Sequence, residues 1–135
     1  MKVLVNKCYG GYGNSKQAAL EWLKRTNTPY TIIEDGYSLV VEIDGEKQYM
    51  NHLDRNDPVL IEIFEEFGSE FTSGPHAELE LYEVPDGCEF EIGEYDGKEW
   101  MDETWITVTL EELKSGLSED RLALAQQVSC LRIAD

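Results

Sequence analysis

The sequence has few basic residues, few histidines and no paired cysteines. Its 135 residues include 11 lysines and arginines and two histidines, against 28 aspartates and glutamates, which gives a net charge of −17. Cys8, Cys88 and Cys130 form neither a CxxC pair nor a Cys/His cluster. We therefore expect three reduced thiols, with no disulfide framework, no metal and no cofactor.

The sequence also lacks a long apolar run. No stretch approaches the length of a membrane-spanning helix, and the N-terminal residues MKVLVNKC are too few for a signal peptide. We expect a cytoplasmic protein that does not bind membranes. A length of 135 residues with 41% hydrophobic residues is that of one ordinary domain, residues 1–135, with a core of its own.

Basic residues are unevenly distributed along the chain. Residues 56–97 contain thirteen aspartates and glutamates and no lysine or arginine, whereas residues 1–33 carry five basic residues against Glu21. A chain this acidic is not expected to bind nucleic acid over a broad surface, because nucleic-acid affinity depends on neutralising phosphates. The acidic segment instead favours a basic protein or complex as partner.

The hydrophobic periodicity predicts the element order β-α-β-β-α-β-β-β-α-α. Helices are predicted after an N-cap at Asn14 or Ser15, from Asp57–Pro58 to a stop at Gly68, after a capping box of Thr109 and Glu112, and from Ser118 to the C-terminus. Asp-Gly pairs at 35–36, 44–45, 86–87 and 96–97 predict turns. We expect an α+β domain with a mostly antiparallel sheet and helices on one face. The C-terminal helix either closes the core or forms the seam of a homodimer.

The stretch NKCYGGYGNSK, residues 6–16, concentrates glycine between a predicted strand and a predicted helix. Backbone N–H groups and a helix N-terminus favour an anion there, the tyrosines offer rings for stacking, and lysines flank the loop. The predicted ligand-binding residues are Lys7, Tyr9, Gly10, Gly11, Tyr12, Gly13, Ser15 and Lys16, joined by Arg55. Because the dinucleotide fingerprint and the P-loop are both absent, a tight turn with glycines at positive φ is the alternative.

Two predicted strands, ELELYE and CEFEIGE, alternate apolar and acidic residues. A strand rises about 3.3 Å per residue, so carboxylates on one face lie roughly 6–7 Å apart, similar to the charges of a phosphodiester strand. This pattern predicts a partner-binding surface of Glu78, Glu80, Glu89, Glu91, Glu94 and Asp96. A solvated face that only keeps the protein soluble is the alternative.

A catalytic set is not evident in the sequence. His52 and His76 are interpreted as surface residues, and Cys8 either as a buried small residue or as a thiol activated by Lys7 and a helix N-terminus. The carboxylates are too numerous to single out an acid/base pair. Arg55 is expected to pair with Asp54 or Asp57, or else to reach a ligand phosphate or carboxylate. These features favour a protein that is not an enzyme.

Three stretches, NKCYGGYGNS, RNDPVLIEIFEEFG and ELELYEVPDGCEFEIGEYDG, resemble a group of small proteins encoded in bacteriophage and prophage genomes. The resemblance covers residues 3–20 and about 52–100, and it implies a phage setting inside a host cell but no activity. Three hypotheses follow. The protein inhibits a host factor, such as a CRISPR or nucleic-acid-processing complex, through its acidic surface, or it sequesters a signalling nucleotide at the Gly-rich loop, or it is an enzyme acting on a phosphorylated small molecule.

Overall fold

A computed structural model describes residues 1–36 and 38–134, and these residues form eight strands and four helices. In chain order the elements are β1 (Lys2–Asn6), α1 (Lys16–Arg25), β2 (Thr31–Asp35), β3 (Leu39–Ile43), β4 (Glu46–Tyr49), α2 (Pro58–Thr72), β5 (Leu79–Glu83), β6 (Glu89–Tyr95), β7 (Lys98–Val108), α3 (Leu110–Ser115), α4 (Glu119–Ala125) and β8 (Cys130–Ile133). None of the helices in the described residues combines the length and the apolar composition that a membrane crossing needs.

The strands form three small sheets, with the orders β1-β5, β2-β3-β4 and β6-β7-β8. All pairs are antiparallel except β7 and β8, which run parallel. The predicted α+β fold with mainly antiparallel strands is confirmed.

The helix starts follow from local capping. Ser15 is the N-cap of α1, and its hydroxyl accepts the Ala18 N–H at 3.0 Å. Asp57 caps α2, where Pro58 holds the first position. The predicted stop at Gly68 is only partly right. Gly68 interrupts the helical backbone with φ 86°, but the element continues to Thr72.

Two Asp-Gly pairs close tight hairpins. Asp44-Gly45 joins β3 to β4 and Asp96-Gly97 joins β6 to β7, with positive φ at all four residues. This backbone twist matches the twist of paired strands. The pair at 86–87 lies in a turn between β5 and β6, whose strand partners are β1 and β7. The pair at 35–36 spans the last residue of β2 and the first residue of the connection to β3, and residue 37 of that connection is outside the described residues.

The prediction of one long C-terminal helix is wrong. Helix α4 begins after its N-cap Ser118 as predicted, but it ends at Ala125. The chain then forms β8, which pairs with β7 from Cys130 opposite Trp105 to Ile133 opposite Val108. Pairing with β7 therefore overrides the helical apolar pattern of the segment. The predicted capping box of Thr109 and Glu112 at the start of α3 is confirmed.

The buried side chains form three clusters that meet at β1 and α1. Val3 and Val5 of β1 pack in one cluster and Leu4 in the next, so β1 is buried on both faces. Helix α1 places Ala18 in the same cluster as Leu4, and Ala19 and Leu23 against β3. The segment that joins β1 to α1 is therefore anchored in the core at both ends.

Candidate functional site

The Gly-rich loop between β1 and α1 lies between two other segments of the chain. The Asn14 N–H donates to the Asn51 carbonyl at 3.0 Å, and the Gly74 N–H donates to the Gly13 carbonyl at 2.9 Å. The buried Asn14 side chain adds a bond from Nδ2 to the Met50 carbonyl at 2.8 Å and accepts the Leu53 N–H at 3.0 Å. The loop is thus fixed by hydrogen bonds on both sides.

Close backbone contacts explain why the loop is rich in glycine. Gly10 has φ 139°, and a Cβ built there would lie 2.3 Å from the His76 carbonyl oxygen. The Asp96-Gly97 turn reaches the same loop, where a Cβ on Gly97 would lie 2.5 Å from the Gly11 nitrogen. Gly10 and Gly11 both have the positive φ that the turn interpretation predicted.

The loop forms one side of a cleft of about 220 Å³. The lining residues are 10–16, 38–39, 50–52 and 74–77. They include Lys16 and both histidines of the sequence, His52 and His76, which are exposed as predicted. Among the residues that the structure describes, none of those lining the cleft is Asp or Glu, although 28 of the 135 residues in the chain are.

Six of the nine predicted ligand-binding residues line this cleft, and the other three lie elsewhere. Those in the lining are Gly10, Gly11, Tyr12, Gly13, Ser15 and Lys16. Lys7 instead donates to the Tyr82 hydroxyl at 2.9 Å, and this bond raises the pKa of Lys7. Tyr9 is 60% exposed, with the Lys98 ammonium 5.4 Å from its ring centroid.

Arg55 forms an ion pair that the sequence did not predict. Its guanidinium donates to both carboxylate oxygens of Glu99, each at 3.0 Å, and also to the Leu4 carbonyl. The predicted pairing with Asp54 or Asp57 is wrong. Asp57 instead caps α2 and accepts the Trp22 indole N–H at 3.0 Å. The Arg55 guanidinium is therefore bound by groups of the protein itself and does not line the cleft.

Asn6 extends this pair into a network. Its backbone N–H donates to Glu99 Oε1 at 2.9 Å, and its side chain donates to the carbonyls of Cys8 and Gly97 at 2.9 and 2.7 Å. Its side-chain oxygen accepts the Glu78 N–H at 2.8 Å. Neither Asn6 nor Glu99 is among the site residues predicted from the sequence. The sequence does show Arg55 as an isolated basic residue in an acidic stretch. That position indicates a carboxylate partner for Arg55 but does not identify which one.

Two polar side chains of the lining use their hydroxyl protons inside the protein. Tyr12 donates to the Leu53 carbonyl at 2.9 Å, its ring lies 4.3 Å from the Arg55 guanidinium, and burial raises its pKa. Ser15 donates to the Phe71 carbonyl at 2.6 Å. Among the residues that the structure describes, the charged or titratable side chains lining the cleft are Lys16, the two imidazoles and the Tyr12 phenol.

The six predicted partner-binding residues are all exposed, but they belong to two different sheets. Glu80 lies on β5 and Glu78 directly precedes it, whereas Glu89, Glu91 and Glu94 lie on β6 and Asp96 in the turn that follows. The predicted alternation of β6 is present, because Phe90 and Ile92 pack on the core while Glu89 and Glu91 are exposed.

The β6 surface also contains an arginine. Glu91 lies opposite Glu103 in the β6–β7 register, and like charges in that position repel each other. The Arg132 guanidinium lies 2.7 Å from Glu103 and 3.7 Å from Glu91, and 3.5 Å from the Trp105 ring centroid. This part of the acidic surface is therefore partly neutralised by β8.

The described residues contain no cluster of three or more His, Cys, Asp or Glu side chains arranged to hold a metal ion.

No protein-family model, no curated protein and no solved structure matches this chain. The resemblance to phage proteins therefore stays a prediction.

Substitution of adjacent glycines tests whether close packing shapes the cleft. Gly10→Ala and Gly11→Ala both place a side chain at nearly the same positive φ, but at Gly11 no atom lies within 4 Å of the new Cβ. Backbone strain should cost about 1–3 kcal/mol in both variants. Overpacking against His76 should destabilise Gly10→Ala by about 1–3 kcal/mol more. Urea unfolding measures both losses, and equal losses would contradict the close contact.

Proposed function

We propose that this protein binds a small phosphate-bearing molecule in the cleft beside the Gly-rich loop and does not convert it. The observation that carries this proposal is the composition of the cleft lining. Although the chain is strongly acidic, the described lining of the cleft contains Lys16 and both histidines and no carboxylate. Asp35 pairs with Lys16 from outside the described lining, so the ionisable groups of that lining are hydrogen-bond donors rather than carboxylates, which suits an anion.

The net charge of −17 does not exclude an anionic ligand. The Debye length is about 8 Å at physiological ionic strength, so salt screens exposed charges on distant surfaces. The groups that line the cleft then dominate the electrostatic energy of a bound anion. Helix α1 begins at Lys16, and the positive end of its dipole favours an anion there.

The size and the apolar lining limit the kind of ligand. A cleft of about 220 Å³ is smaller than the 300–1,000 Å³ of typical ligand sites, so we expect a molecule no larger than a mononucleotide, with part of it in solvent. Leu39, Met50, Pro75 and Ala77 provide apolar contacts suited to a base or a sugar. In the phage setting that the resemblance implies, the protein would sequester a signalling nucleotide in the host cytoplasm.

Binding without turnover is favoured by two of the three hydroxyls in the described lining, those of Tyr12 and Ser15, while Ser38 is the third. Covalent catalysis needs an activated nucleophile, and the hydroxyl protons of Tyr12 and Ser15 are donated to backbone carbonyls. The two imidazoles are the remaining acid/base candidates. The alternative is an enzyme that acts on a phosphorylated small molecule. Analysis of the products distinguishes such an enzyme from a protein that only sequesters its ligand.

Calorimetry with a panel of ligands tests this proposal. Nucleoside monophosphates, diphosphates, cyclic nucleotides and ribose 5-phosphate are titrated into the wild-type protein, Lys16→Gln, and the control Lys24→Gln. Lys24 is an exposed lysine at the other end of α1. Loss of a charged hydrogen bond should weaken binding about 10-fold or more in Lys16→Gln and leave the control unchanged.

Absence of heat with every ligand, or equal weakening in both variants, would contradict the proposal. Mass spectrometry of the same mixtures detects any product, and turnover would favour the enzyme instead.

We also propose, as a second candidate, that the acidic surface binds a basic host protein and inhibits it. The observation in its favour is the exposed row of glutamates on β6, whose apolar neighbours are anchored in the core. A fixed row of carboxylates suits a cleft that normally receives a phosphodiester strand. Arg132 limits this surface near Glu91, so Glu78, Glu80 and Glu89 are the more useful residues to change.

Charge reversal tests the second candidate. Glu78, Glu80 and Glu89 are changed together to lysine, and Glu34, Glu42 and Glu62, which are also exposed, are changed together as the charge-matched control. The tagged proteins are incubated with bacterial lysate at low and high salt. A specific partner should bind the wild type and the control at low salt, and should be lost from the test variant and at high salt. If both variants retain the partner equally, the proposal that the acidic surface binds it is refuted.

A further inference from the structure

The lysine that lines the cleft already holds a carboxylate of its own chain. Lys16 Nζ lies 2.8 Å from Asp35 Oδ1 and 3.1 Å from the Gly36 carbonyl oxygen. Asp35 is the last residue of β2, and Gly36 follows it in the connection to β3. The same connection reaches the cleft lining at Ser38. The anion-binding group and its internal partner are thus both at the edge of the cleft.

We propose that Asp35 competes with the ligand for Lys16, so that a bound phosphate takes the place of the Asp35 carboxylate. This inference rests on the proposed function of the cleft. A phosphate placed beside Lys16 with Asp35 still in position would bring two negative groups together around one ammonium. Repulsion between like charges at such short distances favours exchange of one anion for the other.

The exchange has a chemical consequence for the ligand. A singly charged ligand is attracted to Lys16 about as strongly as Asp35 is, so the exchange of one for the other gains little energy. A phosphate monoester carries a charge of about −1.5 to −2 near pH 7, so its attraction to Lys16 exceeds that of the carboxylate it replaces. The ligand class that this arrangement favours is a phosphate monoester, such as a nucleoside monophosphate, over a phosphodiester.

The exposure of Asp35 keeps the free-energy cost of breaking its ion pair with Lys16 small. The side chains of Lys16 and Asp35 are 44% and 56% exposed, and exposed ion pairs contribute little to stability. Strand β2 is exposed along its whole length and pairs with β3 through a bulge between Ile32 and Glu34. The Asp35 side chain can therefore leave Lys16 without loss of core packing, while the Asp35 backbone stays paired with Leu39 of β3.

A double-mutant cycle with AMP as the probe tests the competition. Asp35→Asn should bind AMP about 2- to 5-fold more tightly than the wild type, because the internal competitor loses its charge. The control Glu34→Gln removes a charge from the neighbouring exposed residue and should change the affinity less. In the Lys16→Gln background the effect of Asp35→Asn should disappear, because the group for which both anions compete is absent.

Two further measurements make the result specific. The affinity for adenosine, which has no phosphate, should be the same in Asp35→Asn and the wild type. In the wild type, AMP should shift the Gly36 amide resonance, because transfer of Lys16 to the phosphate ends its contacts with Asp35 and the Gly36 carbonyl.

The outcomes separate this inference from the proposed function. If neither the wild type nor Asp35→Asn binds AMP or inorganic phosphate, the cleft is not an anion site and the proposed function fails. If both bind AMP with equal affinity, the function stands and the competition is refuted. Tighter binding by Asp35→Asn that persists in the Lys16→Gln background would also refute the competition, since the effect would then be one of net charge.

Discussion

The buried carboxylate of Glu99 is the constraint on which the site depends. Glu99 is 7% exposed, and an unpaired carboxylate at that depth would be strongly unfavourable. Arg55 and the Asn6 N–H satisfy it, so three distant parts of the chain must meet at one point. A pair of this kind does not by itself imply high stability, but breaking it would leave a buried charge without compensation.

The walls of the cleft follow from that meeting point. The Gly-rich loop begins directly after Asn6, and Arg55 lies three residues after His52. Gly97, two residues before Glu99, packs on Gly10 and Gly11. Asn6 also accepts the Glu78 N–H, which fixes the segment after His76. The network thus holds the loop and both histidine segments in place, while Lys16 is placed by the N-terminus of α1.

The two interpretations of the loop describe different properties of the same residues. Positive φ and close backbone contacts account for Gly10 without any ligand. The cleft beside them arises because segments 50–52 and 74–77 are hydrogen-bonded to opposite sides of the loop. A tight structural turn therefore also provides one side of the cleft.

Local signals in the sequence were sufficient for much of the fold. The N-caps Ser15 and Asp57 and the Asp44-Gly45 and Asp96-Gly97 turns depend on neighbouring residues, and all were predictable. Strand β8 was missed because its conformation depends on pairing with β7, and the segment alone has a helical apolar pattern. The partner of Arg55 lies 44 residues away, and the histidines meet the loop only through the tertiary fold.

The measurement that tests the central claim most directly is an NMR titration of the ¹⁵N-labelled protein with AMP. If the cleft is an anion site, the amides of residues 10–16, 50–52 and 74–77 should shift together and saturate at a common ligand concentration, while those of β6 stay unchanged. Shifts confined to residues outside the cleft, or no shift at millimolar AMP, would contradict the account.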